Sequence, residues 1–101
     1  MYYFIGIKGS GMASLARILY DLGYEVAGSD IDKYIFLEDG LRERHIPIYS
    51  FNKDNIKDGM DVIVGNAFDR SNEEVAAAED NPNVTIHHYY DFLAKLMDDH
   101  I

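Results

Sequence analysis

Three glycines in six residues, Gly6, Gly9 and Gly11, stand between a β-rich apolar run and a segment of helical periodicity. Tyr2 to Ile7 reads as a short strand buried on both faces. Met12, Leu15, Ala16 and Leu19 recur on one helix face, and Gly23 is a stop signal. A strand that passes through a glycine turn directly into a helix is the opening half of a parallel crossover, because the helix must cover the sheet before the next strand starts.

The rest of the chain repeats that alternation. Tyr24 to Gly28 is a second strand, followed at once by Ser29 and Asp30. A weaker helix over Tyr34 to Arg44 leads to a third strand, Ile46 to Tyr49, whose Pro47 suits a sheet edge because it cannot donate to a ladder. Asp61 to Val64 is a fourth strand running into Gly65, Asn66 and Ala67. Asn72 to Glu79 is an Ala- and Glu-rich helix with Ser71 as its cap, Asn81-Pro82-Asn83 breaks it, Val84 to His87 is a fifth strand, and Phe92, Leu93, Leu96 and Met97 mark a closing helix. The implied fold is α/β and Rossmann-like: a five-stranded parallel sheet in the order 3-2-1-4-5 with helices on both faces. Strands 1 and 4 are then neighbours at the switch point where ligands of such sheets bind, and Gly6 to Gly11 faces Gly65 to Ala67 across it.

A glycine turn opening a helix is an anion site, since unpaired N–H groups and the helix dipole point the same way. Here the arrangement falls on Gly9, Ser10, Gly11 and Met12. Asp30 lies 24 residues after Gly6, near the spacing at which an acid takes ribose hydroxyls, and Asn66 ends the strand across the crevice. Neither standard loop is present: Lys8 holds the middle-glycine place of G-x-G-x-x-G, and Met12-Ala13 stands where a P-loop needs Lys and Ser or Thr. Lys8 is expected either to face solvent or to stand as a point charge beside a diphosphate, so that Lys8→Ala leaves folding intact.

Length and charge narrow the partners. A chain of 101 residues that is 48% apolar supports one core and one domain. Its 18 acidic and 9 basic residues, net −9, repel nucleic acid and anionic lipid, so any phosphate must be held by local features. The acids Glu73, Glu74, Glu79, Asp80, Asp98 and Asp99 read as solvated helix faces. With no cysteine and no run near the roughly 20 apolar residues of a membrane span, the expectation is a cytoplasmic protein with no membrane or nucleic-acid partner.

Phe4-Ile-Gly-Ile-Lys-Gly-Ser-Gly-Met-Ala13, Leu22-Gly-Tyr-Glu-Val-Ala-Gly-Ser-Asp30 and Gly65-Asn-Ala-Phe68 together resemble the N-terminal domain of the Mur ligases, over essentially the whole chain. The resemblance is strongest to the branch that adds L-alanine to UDP-N-acetylmuramate, and the Lys8 variant of the usual G-x-G-G-x-G-M motif looks like its Gram-positive form. It implies an ATP- and magnesium-dependent ligase of peptidoglycan precursor synthesis, acting through an acyl phosphate, of which this chain is the UDP-binding domain alone. The Gly-Lys-Thr loop of the family's ATP-binding domain does not occur here, so the fragment is expected to bind and not to catalyse. Carried over by position, Gly9, Ser10, Gly11 and Met12 would cradle the diphosphate, with Lys8 beside it. Asp30, preceded by Ser29, would take the ribose, and Gly65, Asn66 and Ala67 would line the nucleotide pocket. Catalytic residues and metal ligands are not expected in this domain.

Other features carry less. His87 and His88 are adjacent in a strand and point to opposite faces, so they make no metal pair, while His45 and His100 are expected at the surface. Of the eight tyrosines, Tyr2, Tyr3, Tyr24, Tyr49, Tyr89 and Tyr90 lie in or beside expected strands and helices, where packing explains them. Two further readings fit the same scaffold: an NAD(P)-binding domain of an oxidoreductase or sensor, which Lys8 disfavours, and an interaction module that binds no nucleotide.

Overall fold

The computed structural model describes residues 1–100; Ile101 and the side chain of His100, including its expected surface position, lie outside the described residues. The chain runs β1 (Tyr2–Ile5), α1 (Ser10–Asp21), β2 (Val26–Ser29), a 3-10 turn (Phe36–Glu38) continuing into α2 (Asp39–Glu43), β3 (Ile48–Tyr49), a second 3-10 turn (Lys53–Asn55), β4 (Asp61–Val64), α3 (Glu73–Asp80), β5 (Thr85–His88) and α4 (Tyr89–His100). All pairings are parallel and the order is β3-β2-β1-β4-β5, as the alternation predicts.

The central strand explains why the sheet is covered twice. Successive side chains of a strand point to opposite faces, and β1 sends Phe4 to one core and Tyr3 and Ile5 to the other. Phe4 joins Met12, Leu15 and Leu19 of α1, Leu41 of α2 and Phe92 of α4. Tyr3 and Ile5 join Ile56, Val62, Val64, and Val75 and Ala78 of α3.

The boundaries differ from expectation for local reasons. The first strand ends at Ile5, two residues early, because Gly6 turns the chain with φ +87°. The single helix read over Tyr34 to Arg44 is a 3-10 turn followed by five α-helical residues. Asn72, not Ser71, caps α3: its side chain accepts from the N–H groups of Glu74 and Val75. The fifth strand starts at Thr85, and α4 begins directly after it at Tyr89. Pro47 lies beside the edge strand as expected, and its carbonyl accepts from Gly28 N–H at 3.1 Å.

Candidate functional site

The turn between β1 and α1 spends its first amides on itself. Gly6 and Ile7 N–H both donate to the Ser29 carbonyl (2.9 and 3.0 Å), and Gly9 N–H donates to the Gly6 carbonyl (3.1 Å). Lys8 N–H donates to Asp30 Oδ2 (2.8 Å). Then the pattern changes. Gly9 is the N-cap of α1 and has no side chain to cap it, and the first amide to find a helical acceptor is Ala13, to Gly9 O at 2.7 Å. The N–H groups of Ser10, Gly11 and Met12 have no partner among the described residues. Three unpaired donors on one helix turn, at the positive end of a 12-residue dipole, are an arrangement that can hold an anion.

The crevice beside this turn is the one the strand order requires. β1 and β4 are hydrogen-bonded neighbours, with Ile5 opposite Val64. The Met12 side chain approaches Gly65: a Cβ built there would lie 3.8 Å from Met12 Cγ. Asn66 and Ala67 are exposed beyond it, and the chain then returns so that the Phe68 ring lies over Gly6. A methyl on Gly6 would overlap that ring, and its φ of +87° is itself one that side chains disfavour. Gly9 differs, since a methyl there would meet only ordinary contacts, 3.4 Å from Gly6 O and 3.8 Å from Met12 Cγ.

Three of the expected residues act from behind the cradle. Lys8 is neither solvent-facing nor placed as a free charge, because its residue is 3% exposed and its ammonium is fully used. It meets Glu38 Oε2 at 2.9 Å and donates to the carbonyls of Ile31 (3.0 Å) and Lys33 (2.9 Å). Although burial opposes the ionised form of Glu38, the Lys8 ammonium together with the Arg42 guanidinium outweighs it and holds that carboxyl below the usual range. Lys8→Ala is therefore a destabilising change, not a silent one, since it leaves the buried Glu38 carboxylate with only the half-exposed Arg42, 3.2 Å away, as its cation. Ser29 is completely buried and its hydroxyl donates to Glu74, so its role in the loop is the carbonyl that anchors Gly6 and Ile7. Asp30 accepts from Lys8 N–H through one oxygen and from Ile31 N–H (2.8 Å) through the other. Each oxygen keeps a free lone pair, and the residue is 8% exposed.

Two residues escape a sequence reading. Tyr89, the first residue of α4, sets its hydroxyl against Gly11, where a Cβ would collide with it. Glu74, read as part of a solvated face, is fully buried. It accepts from Tyr3 hydroxyl (3.0 Å), Asn52 N–H (3.0 Å), Asn55 side-chain amide (2.9 Å) and the Ser29 hydroxyl. Burial raises the Tyr3 phenol above its ordinary value, with the Glu74 carboxylate adding to that, so the phenol stays a donor. The signal for this hub is in β1: an inward tyrosine at the centre of a sheet needs a polar partner.

A cavity of about 200 Å³ lies elsewhere, lined by residues that include Tyr2, Tyr24, Asp61, His87 and Phe92. Tyr2 and Asp61 are the first residues of β1 and β4, so the cavity sits at the amino ends of the strands, away from the glycine turn. His87 Nε2 meets Asp61 Oδ1 there at 3.0 Å. Among the described residues no helix is long and apolar enough to cross a membrane.

Comparison with known proteins adds the family. The UDP-N-acetylmuramate–alanine ligase MurC of Thermotoga maritima superposes with a TM-score of 0.86 at 27% identity, covering 97% of this chain and 23% of that one. The UDP-N-acetylmuramate:L-alanyl-γ-D-glutamyl-meso-diaminopimelate ligase of Neisseria meningitides does so with 0.77 at 28% identity, covering 93% and 30%. This chain thus spans less than a third of either relative's length. Residues 1–101 match the family described as Mur ligase family, catalytic domain, and the chain belongs to the Mur ligase family.

Proposed function

We propose that this chain is the N-terminal domain of a ligase that adds L-alanine to UDP-N-acetylmuramate in peptidoglycan precursor synthesis, and that it holds the UDP part. The observation that carries this reading is the uncapped first turn of α1, with the N–H groups of Ser10, Gly11 and Met12 unpaired beside the β1–β4 crevice. Their charge-assisted bonds to a diphosphate would satisfy all three and offset a chain charge of −9. The remaining lone pairs of Asp30 suit ribose hydroxyls, and Gly65, Asn66 and Ala67 line the pocket opposite. UDP-N-acetylmuramate is the unit shared by the names of both similar structures, whereas what is joined to it differs. L-alanine is favoured by the higher structural likeness to the alanine ligase and by the motif set, whose Lys8 variant fits a Gram-positive branch.

ATP, magnesium and L-alanine would be handled by central and C-terminal domains of the full-length cytoplasmic enzyme. This domain would supply none of the reacting groups. Its part is to fix the nucleotide end, so that the lactyl carboxylate extends toward the site of chemistry; binding energy from such remote contacts is what positions a reacting group.

Calorimetric titration of this chain with UDP-N-acetylmuramate, UDP and NAD tests the reading. UDP-N-acetylmuramate should bind more tightly than UDP, and NAD at least tenfold more weakly than UDP. Equal binding of NAD would favour the dinucleotide reading instead, and no binding of any nucleotide would leave an interaction module.

A further inference from the structure

We propose that Lys8 is a positioning residue for the nucleoside half of the ligand: from beneath the glycine turn it fastens the Ile31–Glu38 segment into the wall against which that half lies. The inference rests on the nucleotide reading above and extends it to a residue that touches no ligand.

Four contacts tie the segment to Lys8. The Lys8 amide holds Asp30 at the end of β2, and its ammonium gathers the carbonyls of Ile31 and Lys33 and the carboxylate of Glu38 around one point, at 2.9 to 3.0 Å. An ammonium has three donors, so this one is saturated. The stretch from Ile31 to Ile35 has no regular structure of its own. Among the described residues its backbone is otherwise tied through Ile31 N–H to Asp30 Oδ1 and Glu38 N–H to the Ile35 carbonyl, with Asp30 N–H to Tyr49 just before it, and its side chains through Asp32 to Ser50 and Glu38 to Arg42. Lys8 is the one residue that gathers Ile31, Lys33 and Glu38 at a single atom, and the other ties each hold one residue at a time. The segment also presents apolar surface to solvent: Ile31, Tyr34 and Phe36 are 48%, 60% and 71% exposed.

The position of that wall decides which part of the ligand it serves. The anion cradle is on α1, above β1, while the segment leaves the carboxyl end of β2, one strand away. In sheets of this kind the acid at the end of β2 marks the ribose, so a nucleotide with its phosphates on α1 extends its nucleoside toward residues 31–38. Lys8 adds little to the phosphates themselves, because Glu38 neutralises it within a buried pair. A glycine at this position could supply none of the three ammonium bonds. The backbone tolerates the lysine because Lys8 does not have a positive φ.

The test separates nucleoside from phosphate. Lys8→Met and the double variant Lys8→Met, Glu38→Gln, which leaves no unpaired buried charge, are compared with the unaltered chain by amide-shift titration with UDP, uridine and inorganic pyrophosphate. In the double variant, UDP affinity should fall about tenfold or more, pyrophosphate affinity should stay within about twofold, and amide exchange should accelerate over residues 31–38 while α1 stays protected. Equal losses for UDP and pyrophosphate would mean that Lys8 serves the phosphates or the turn as a whole, and would overturn the proposal. Unchanged UDP affinity would overturn it too. If the unaltered chain binds pyrophosphate but not UDP, the nucleotide reading itself fails, and the proposal falls with it.

Discussion

At the scale of single residues, the three glycines of the first turn divide by what a methyl group would meet. At Gly6 it meets the Phe68 ring and a φ of +87°, so Gly6→Ala should cost about 1–3 kcal/mol of stability whether or not a ligand binds. At Gly9 it meets only ordinary contacts. Gly9→Ala should therefore unfold in urea within about 1 kcal/mol of the unaltered chain, the cost of a poorer N-cap, yet lose at least tenfold in UDP affinity. Equal UDP affinity would show that the diphosphate does not approach Gly9. Lys8 and Glu38 carry the clearest pH signature. Because the folded state lowers the Glu38 pKa, their pair contributes stability above the ordinary glutamate value of about 4.3 and loses it as pH falls through the lowered one. The stability difference between the unaltered chain and Lys8→Met, measured by denaturation, should be full at pH 7 and shrink below about pH 4. This pairing was hidden in the sequence because its partner is 30 residues away and no local pattern links the two. A lysine in a glycine motif looks like a surface substitution until the segment above it is placed.

At the scale of elements, what was legible was periodicity, and what was not was the meaning of a charged residue within it. Short apolar runs placed all five strands, and helical spacing or composition placed three of the helices, because both sheet faces are covered and every element has an apolar side. The Tyr34–Arg44 segment is a 3-10 turn and a short helix rather than one helix, because Leu41 is buried and Leu37 packs on the core while Tyr34 and Phe36 are exposed, which leaves no continuous apolar face. Helix α3 shows the reverse problem. Glu74 lies one turn before Ala78 and shares its buried face, so a side chain that composition assigns to water is in fact an internal acceptor. It joins β1, β2, the Lys53–Asn55 turn and α3 through four donors. Glu74→Ala would leave the Tyr3 and Ser29 hydroxyls buried without that acceptor, and should destabilise the chain by about 2–4 kcal/mol in urea denaturation. A loss below about 1 kcal/mol would mean that water replaces the carboxylate at little cost.

At the scale of the molecule, topology does the functional sorting. The order β3-β2-β1-β4-β5 puts the first glycine turn and the Gly65–Ala67 turn on either side of one crevice, and sets the Tyr2–Asp61–His87 cavity at the other end of the strands. Against a net charge of −9, which repels anions in general, the unpaired amides of the first turn of α1 are a local feature that attracts them. Binding should therefore be sharply local, and amide resonances can locate it residue by residue. On titration with UDP, the amides of Ser10, Gly11, Met12 and Asn66 should shift together and saturate, while the Asp61 and His87 amides at the opposite end stay in place. Shifts confined to the cavity end, or an α1 first turn that does not respond to saturating UDP, would contradict the assignment of this turn as the diphosphate site.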